Sequence, residues 1–146
     1  MEILARIADA LQQGDDGQVG ALVREALDAG RPAGEVLQGG LLAGMSVVGE
    51  RFRLREVFLP DVLLSAKAMY AGLAVLRPLL ASEGVPSRGK VVLGTVKGDL
   101  HDIGKNLVGI MLKGAGFEVI DLGHDVAPEA FVDAAVREGA TLIGMS

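Results

Sequence analysis

The chain has 146 residues and a net charge of −5, half of its residues are hydrophobic, aromatics make up 3% and cysteine is absent. One ordinary domain or two small ones fit this length, and the core must be aliphatic. Acidity without a basic patch argues against nucleic acid, and the missing cysteines exclude disulfides, thiolate metal sites and cysteine nucleophiles. No secretory signal opens the chain, and the longest apolar run, near Leu41 to Val48, is far below the roughly 20 residues of a membrane span. A cytoplasmic protein is expected.

Residues 2 to about 30 predict two short helices. Ile3, Leu4, Ile7, Ala8 and Leu11 form one apolar face, and Val19, Leu22, Val23, Ala26 and Leu27 form another. Gly14 ends the first, Asp15 or Asp16 caps the second, and Gly30 closes it. A third helix starts at Pro32 and carries Leu37, Leu41, Met45, Val48 and Phe52. Gly39, Gly40, Gly44 and Gly49 interrupt it, each at a cost of about 1 kcal/mol against alanine. Something therefore approaches this helix closely, and tight helix packing is one candidate. Arg51 to Glu56 reads as a charged turn. A fourth helix begins at Phe58-Leu-Pro-Asp61, with Pro78 expected to end or kink it. The polar stretch Ser82 to Gly89 reads as a linker, which divides the chain into 1–84 and 85–146.

The pattern then changes. Lys90 to Val96 is an apolar, β-branched run expected of a strand buried on both faces. Ile103, Leu107, Ile110 and Met111 repeat with helical spacing up to Gly114. Phe117 to Leu122 is a second strand, a helix with Ala130, Phe131, Ala134, Ala135 and Val136 opens at Pro128, and Thr141 to Met145 is a third strand. The order β-α-β-α-β predicts a parallel sheet with right-handed crossovers. Because such sheets commonly have five or six strands, the sequence reads as part of something longer.

Ligands of open parallel sheets lie beyond the carboxyl ends of the strands. Gly98 to Gly104, Gly123 to Val126 and Ser146 reach that rim, so Asp99, His101 and Ser146 converge there. His101 is one of two histidines. It reads either as a loop histidine with an ordinary hydrogen bond or as a metal ligand oriented by Asp99. A metal held by one histidine needs most of its ligands from a cofactor. Gly104 leaves room for a bulky group. His124, Lys97, Asp102 and Lys105 read as solvated or helix-capping residues. Neither a dinucleotide fingerprint nor a P-loop is present.

Asp99-x-His101-x-x-Gly104 after a buried strand, within the block Gly94-Thr-Val-Lys-Gly-Asp-Leu-His-Asp-Ile-Gly-Lys-Asn-Leu-Val108, resembles the cobalamin-binding signature of corrinoid proteins and of cobalamin-dependent methionine synthase. The segments Gly44 to Phe52 and Phe58 to Met69 are similar to the helical cap of that family. The resemblance implies a four-helix cap followed by a Rossmann-like, flavodoxin-like cobalamin-binding domain of α/β class. It implies that His101 is the lower ligand of cobalt, that Asp99 hydrogen-bonds it, and that Ser146 completes the triad. Asp102, Ile103 and Gly104 then border the cofactor, while Phe52, Leu59, Val62 and Met45 belong to the cap surface above the corrin. Arg55 stands where the family often has glycine. The implied function is that of a methyl carrier working between a donor-specific methyltransferase and an acceptor methyltransferase, with a reductive activator as a further partner, and without catalysis by the chain alone. The alternative is a cobalamin-sensing module; the helical cap counts against a radical mutase.

Overall fold

A computed structural model describes residues 2–146. It divides into two units, residues 1–85 and 86–146, against the division after residue 84 drawn from the sequence.

The first unit is helical. Helices α1 (Ile3–Gln12) and α2 (Asp16–Asp28) are separated by a tight turn at Gly14. Asp15 caps α2 by accepting the Gln18 amide at 2.9 Å, which satisfies a donor the helix cannot satisfy internally. The expected third helix is composite: α3 (Ala33–Val36) passes into a π-helical segment, Leu37–Leu42, and then into α4 (Ala43–Arg53). The glycines explain themselves here. A Cβ on Gly40 would lie 2.9 Å from Ile7 Cγ2, and one on Gly44 would lie 3.0 Å from the Ala8 backbone, so α1 is what approaches closely. Tight helix packing accounts for these two glycines within this chain.

Two boundaries differ from expectation. Arg51 and Arg53 sit in the last turn of α4 rather than in a charged turn, while Phe52 lies on the helix as its spacing predicts. Helix α5 (Leu59–Glu83) continues past Pro78 and Ser82 to Gly84, whose φ of +65° stops it. Proline is tolerated because Pro78 and Ala74, the residue whose carbonyl loses its partner, both face water. At its start the Phe58 amide donates to Asp61 Oδ2 at 2.8 Å. With 25 residues and mean hydropathy of 1.4 over its most apolar window, α5 is long and apolar enough to cross a membrane. Its buried face, Val62, Ala66, Met69 and Leu76, is nevertheless core of this unit and lies along α2.

The second unit is a parallel sheet of order β2-β1-β3, with β1 (Lys90–Gly94) central, β2 (Glu118–Asp121) and β3 (Leu142–Met145). Val92 pairs with Ile120 on one side and Ile143 on the other. Helix α6 (Ile103–Gly114) connects β1 to β2, and α7 (Pro128–Glu138) connects β2 to β3. Val91, Val92 and Leu93 are buried, as expected of a central strand, and Phe131 and Ala134 of α7 pack on Val92 and Val126. The two expected apolar faces hold except at one residue each: Ile103 is 73% exposed and Val136 78% exposed, whereas Lys105, Gly109 and Gly114 are the buried residues of α6.

Candidate functional site at the strand ends

Backbone hydrogen bonds gather the three rim segments. The Val96 amide donates to the Ser146 carbonyl, the Ser146 amide to Gly94, the Thr95 amide to Gly123 and the Asp125 amide to Asp99, all between 2.9 and 3.0 Å. The loop that leaves β1 is therefore joined to both neighbouring strand ends. Ser146 lies at this rim through its backbone.

Asp99 and His101 meet. Asp99 Oδ1 accepts the His101 amide at 2.9 Å and faces His101 Nδ1 at 2.6 Å. The His101 amide, and next its ring, hold the Asp99 carboxyl below the usual carboxylate range. An ionised carboxylate only accepts, so Nδ1 carries the proton, and in the neutral ring Nε2 then keeps its lone pair. The side chain of His101 is 97% exposed, so that lone pair faces outward from the unit. A polar ring held in one tautomer and presented to the outside is a ready metal ligand. Among the described residues no three His, Cys, Asp or Glu side chains converge to hold a bare ion. A metal at His101 would bring most of its other ligands with it, as the cobalt of a corrin does.

The neighbours of His101 fit such a group. Leu100 and Ile103 expose their apolar side chains on either side of it. A Cβ on Gly104 would meet nothing within 4 Å, and its backbone has no left-handed φ. Neither packing nor conformation within this chain requires glycine there, which leaves open space for a bulky, flat ligand. Asp102 stands at the N-cap of α6 without a side-chain capping bond. His124 is exposed at the rim, in the turn after β2.

Lys105 corrects the sequence reading. It is not solvated: its side chain is 2% exposed, and its Nζ donates to Asp121 Oδ1 at 2.9 Å and Oδ2 at 3.1 Å. Burial pushes the Asp121 carboxyl up, but Lys105 and the Gly123 amide outweigh it and hold the carboxyl low. This pair ties the start of α6 to the end of β2. Thr95 and Asp125, which the sequence reading passed over, also face the His101 loop: the Thr95 hydroxyl donates to the His101 carbonyl and Asp125 Oδ1 accepts the Gly98 amide.

In the helical unit the four residues assigned to a cap surface separate into two pairs. Phe52 and Leu59 are half-buried. Met45 and Val62 are fully buried, so they are core residues of this unit and not part of its surface. Arg55 adopts φ of +61° in the turn between α4 and α5, a left-handed conformation that glycine takes without strain. This is the position where the family pattern often has glycine.

Comparison with known proteins covers both units. Residues 3–77 match a family model described as a B12 binding domain, and residues 89–146 match a second model with the same description. A corrinoid protein of Desulfitobacterium hafniense is 46% identical over 149 residues, covering 100% of this chain and 69% of the relative. Trimethylamine corrinoid protein 1 of Methanosarcina mazei is 43% identical over 147 residues, covering 99% of this chain and 68% of the relative. Among solved structures, the methanol:cobalamin methyltransferase complex of Methanosarcina barkeri superposes with a TM-score of 0.89 at 32% identity, over 98% of this chain and 55% of that one. The monomethylamine corrinoid protein of the same organism gives 0.60 at 36% identity, over 98% and 68%. The chain thus spans about two thirds of the length of these corrinoid relatives.

Proposed function

On the premise that this chain belongs to the B12-binding corrinoid proteins, we propose that its α/β unit holds cobalamin through His101. The full-length protein then carries a methyl group from a donor-specific methyltransferase to an acceptor methyltransferase. The bound cofactor supplies a cobalt centre that takes up and gives up the methyl group; the protein supplies binding, orientation and shielding.

The observation that carries this reading is the exposed His101 ring, locked by Asp99 with Nε2 outward. His101 binds the metal from one side. Asp99 orients the ring and, as an ionised partner, raises the basicity of Nε2. Leu100, Ile103 and Gly104 form the surrounding bed, with Asp102 and Ser146 beside it. For the helical unit, the resemblance assigns Phe52 and Leu59 a cap role, while Met45 and Val62 belong to the core of that unit. Names of relatives include methylamine and methanol systems, and the donor belongs to the partner methyltransferase.

The test uses the full-length protein with added methylcobalamin. The absorption spectrum should differ from that of the free cofactor in wild type, and His101→Gly should bind more weakly with an altered spectrum. Coincident wild-type and variant spectra would remove His101 as the ligand.

A further inference from the structure

The bonds between Asp99 and His101 span only three residues. They orient the imidazole within its own loop, but they do nothing to fix that loop relative to the sheet. Two other side chains do. Thr95 is fully buried where the chain leaves β1, and a buried hydroxyl needs a partner. Its hydroxyl donates to the His101 carbonyl at 3.0 Å. Asp125, in the turn after β2, holds φ of +53°, a left-handed conformation that Asp and Asn tolerate better than most residues. Held this way it grips the same loop twice. Its amide donates to the Asp99 carbonyl at 3.0 Å, and its Oδ1 accepts the Gly98 amide at 2.8 Å. Gly98 itself takes φ of +83° at that contact.

We propose that Thr95 and Asp125 are positioning residues for His101, anchoring its loop to the ends of β1 and β2 so that the ring is presented preorganised for the metal. This rests on His101 as the cobalt ligand. Preorganisation spares the protein the ordering of the loop when the ligand arrives, and so strengthens binding. Thr95 is the stronger anchor because the residue that donates is buried, while Asp125 is exposed.

The two arms of the test use the full-length protein. In the apo form, amide hydrogen exchange at Gly98 and His101 is followed by NMR; in the loaded form, cobalamin affinity and spectrum are measured. Thr95→Val keeps shape and strand propensity and removes the hydroxyl. It should speed exchange and weaken cobalamin binding, each about tenfold, which is the scale of one lost buried hydrogen bond. Thr95→Ser should restore both. Asp125→Ala should act in the same direction and less strongly, with recovery in Asp125→Asn, which keeps an acceptor and tolerates the left-handed turn. Because Asp125 is exposed, this second pair remains informative if Thr95→Val fails to fold. Wild-type exchange and affinity in Thr95→Val and Asp125→Ala would overturn the proposal alone, with His101→Gly still altering the spectrum. If His101→Gly leaves the spectrum unchanged, the ligand reading fails and the positioning role falls with it.

Discussion

In the helical unit, contacts close through missing side chains: Gly40 and Gly44 let α1 touch the π-helical segment and α4, and Gly72 admits Leu41. In the α/β unit, the rim closes through polar groups: Lys105 with Asp121, Thr95 with the His101 carbonyl, and Asp125 with Gly98. The first unit is a packed shell whose tolerances are steric. The second is an electrostatic frame around an exposed ring. Where a chain must present a ligand, hydrogen bonds fix direction in a way that close packing does not.

The largest effect should come from removing Asp121. Asp121→Ala leaves the Lys105 ammonium buried and unpaired, which costs about 3–5 kcal/mol; chemical denaturation of the α/β unit would show it. Gly72→Ala probes the other unit. The new Cβ would lie 2.6 Å from Leu41 Cδ2, in a position where Leu41 is fully buried, and overpacking of this kind costs about 1–3 kcal/mol. A melting temperature equal to wild type would mean that the helical unit is less tightly packed than its glycines indicate.

Lys105→Met should cost less, about 1 kcal/mol, because the half-exposed Asp121 keeps Gly123 and gains water. The asymmetry between the two partners is the signature of a buried cation. The pair also predicts a pH dependence. The Asp121 carboxyl titrates lower in the folded chain than in the unfolded one, so its contribution is fully present above the ordinary carboxylate pKa. It is lost as pH falls through the folded value. Stability should be insensitive to this group from pH 7 to 5 and should decline below about pH 4, with a shallower decline in Lys105→Met.

The smallest effect on stability belongs to Gly104→Ala. No atom lies within 4 Å of the added methyl, and alanine favours helix, so the apo protein should unfold at or slightly above the wild-type midpoint. Cobalamin binding should nevertheless weaken, because the methyl occupies the space assigned to the cofactor. Equal affinity in both forms would place the cofactor elsewhere.

Most elements were legible because aliphatic periodicity and glycine punctuation agree. Ile7 and Leu11, Val19 and Val23, and Val91 to Leu93 all lie where their spacing puts them. Pro78 does not end the helix as the sequence allowed, because the residue whose carbonyl it leaves without a partner, Ala74, is exposed to water. Lys105 misled for a different reason: a charged residue in a loop-to-helix block reads as solvated unless its partner is seen, and Asp121 lies sixteen residues away across the sheet. Gly109, one turn beyond Lys105 and equally buried, was the available signal that this face turns inward. The pairing of Asp99 with His101 was legible from their spacing. The anchoring of their loop was not, because Thr95 reads as an ordinary strand residue and Asp125 as an ordinary turn residue.

The central claim, that His101 is the cobalt ligand, is tested most directly by electron paramagnetic resonance of the full-length protein carrying one-electron-reduced cobalamin. The protein is labelled with ¹⁵N-histidine, and the cofactor is at natural abundance. Coordination by His101 predicts that the hyperfine lines split into doublets from an axial ¹⁵N, and that the doublets disappear in His101→Gly. Triplets from ¹⁴N in the labelled protein would place the cofactor's own base on the metal and contradict the account.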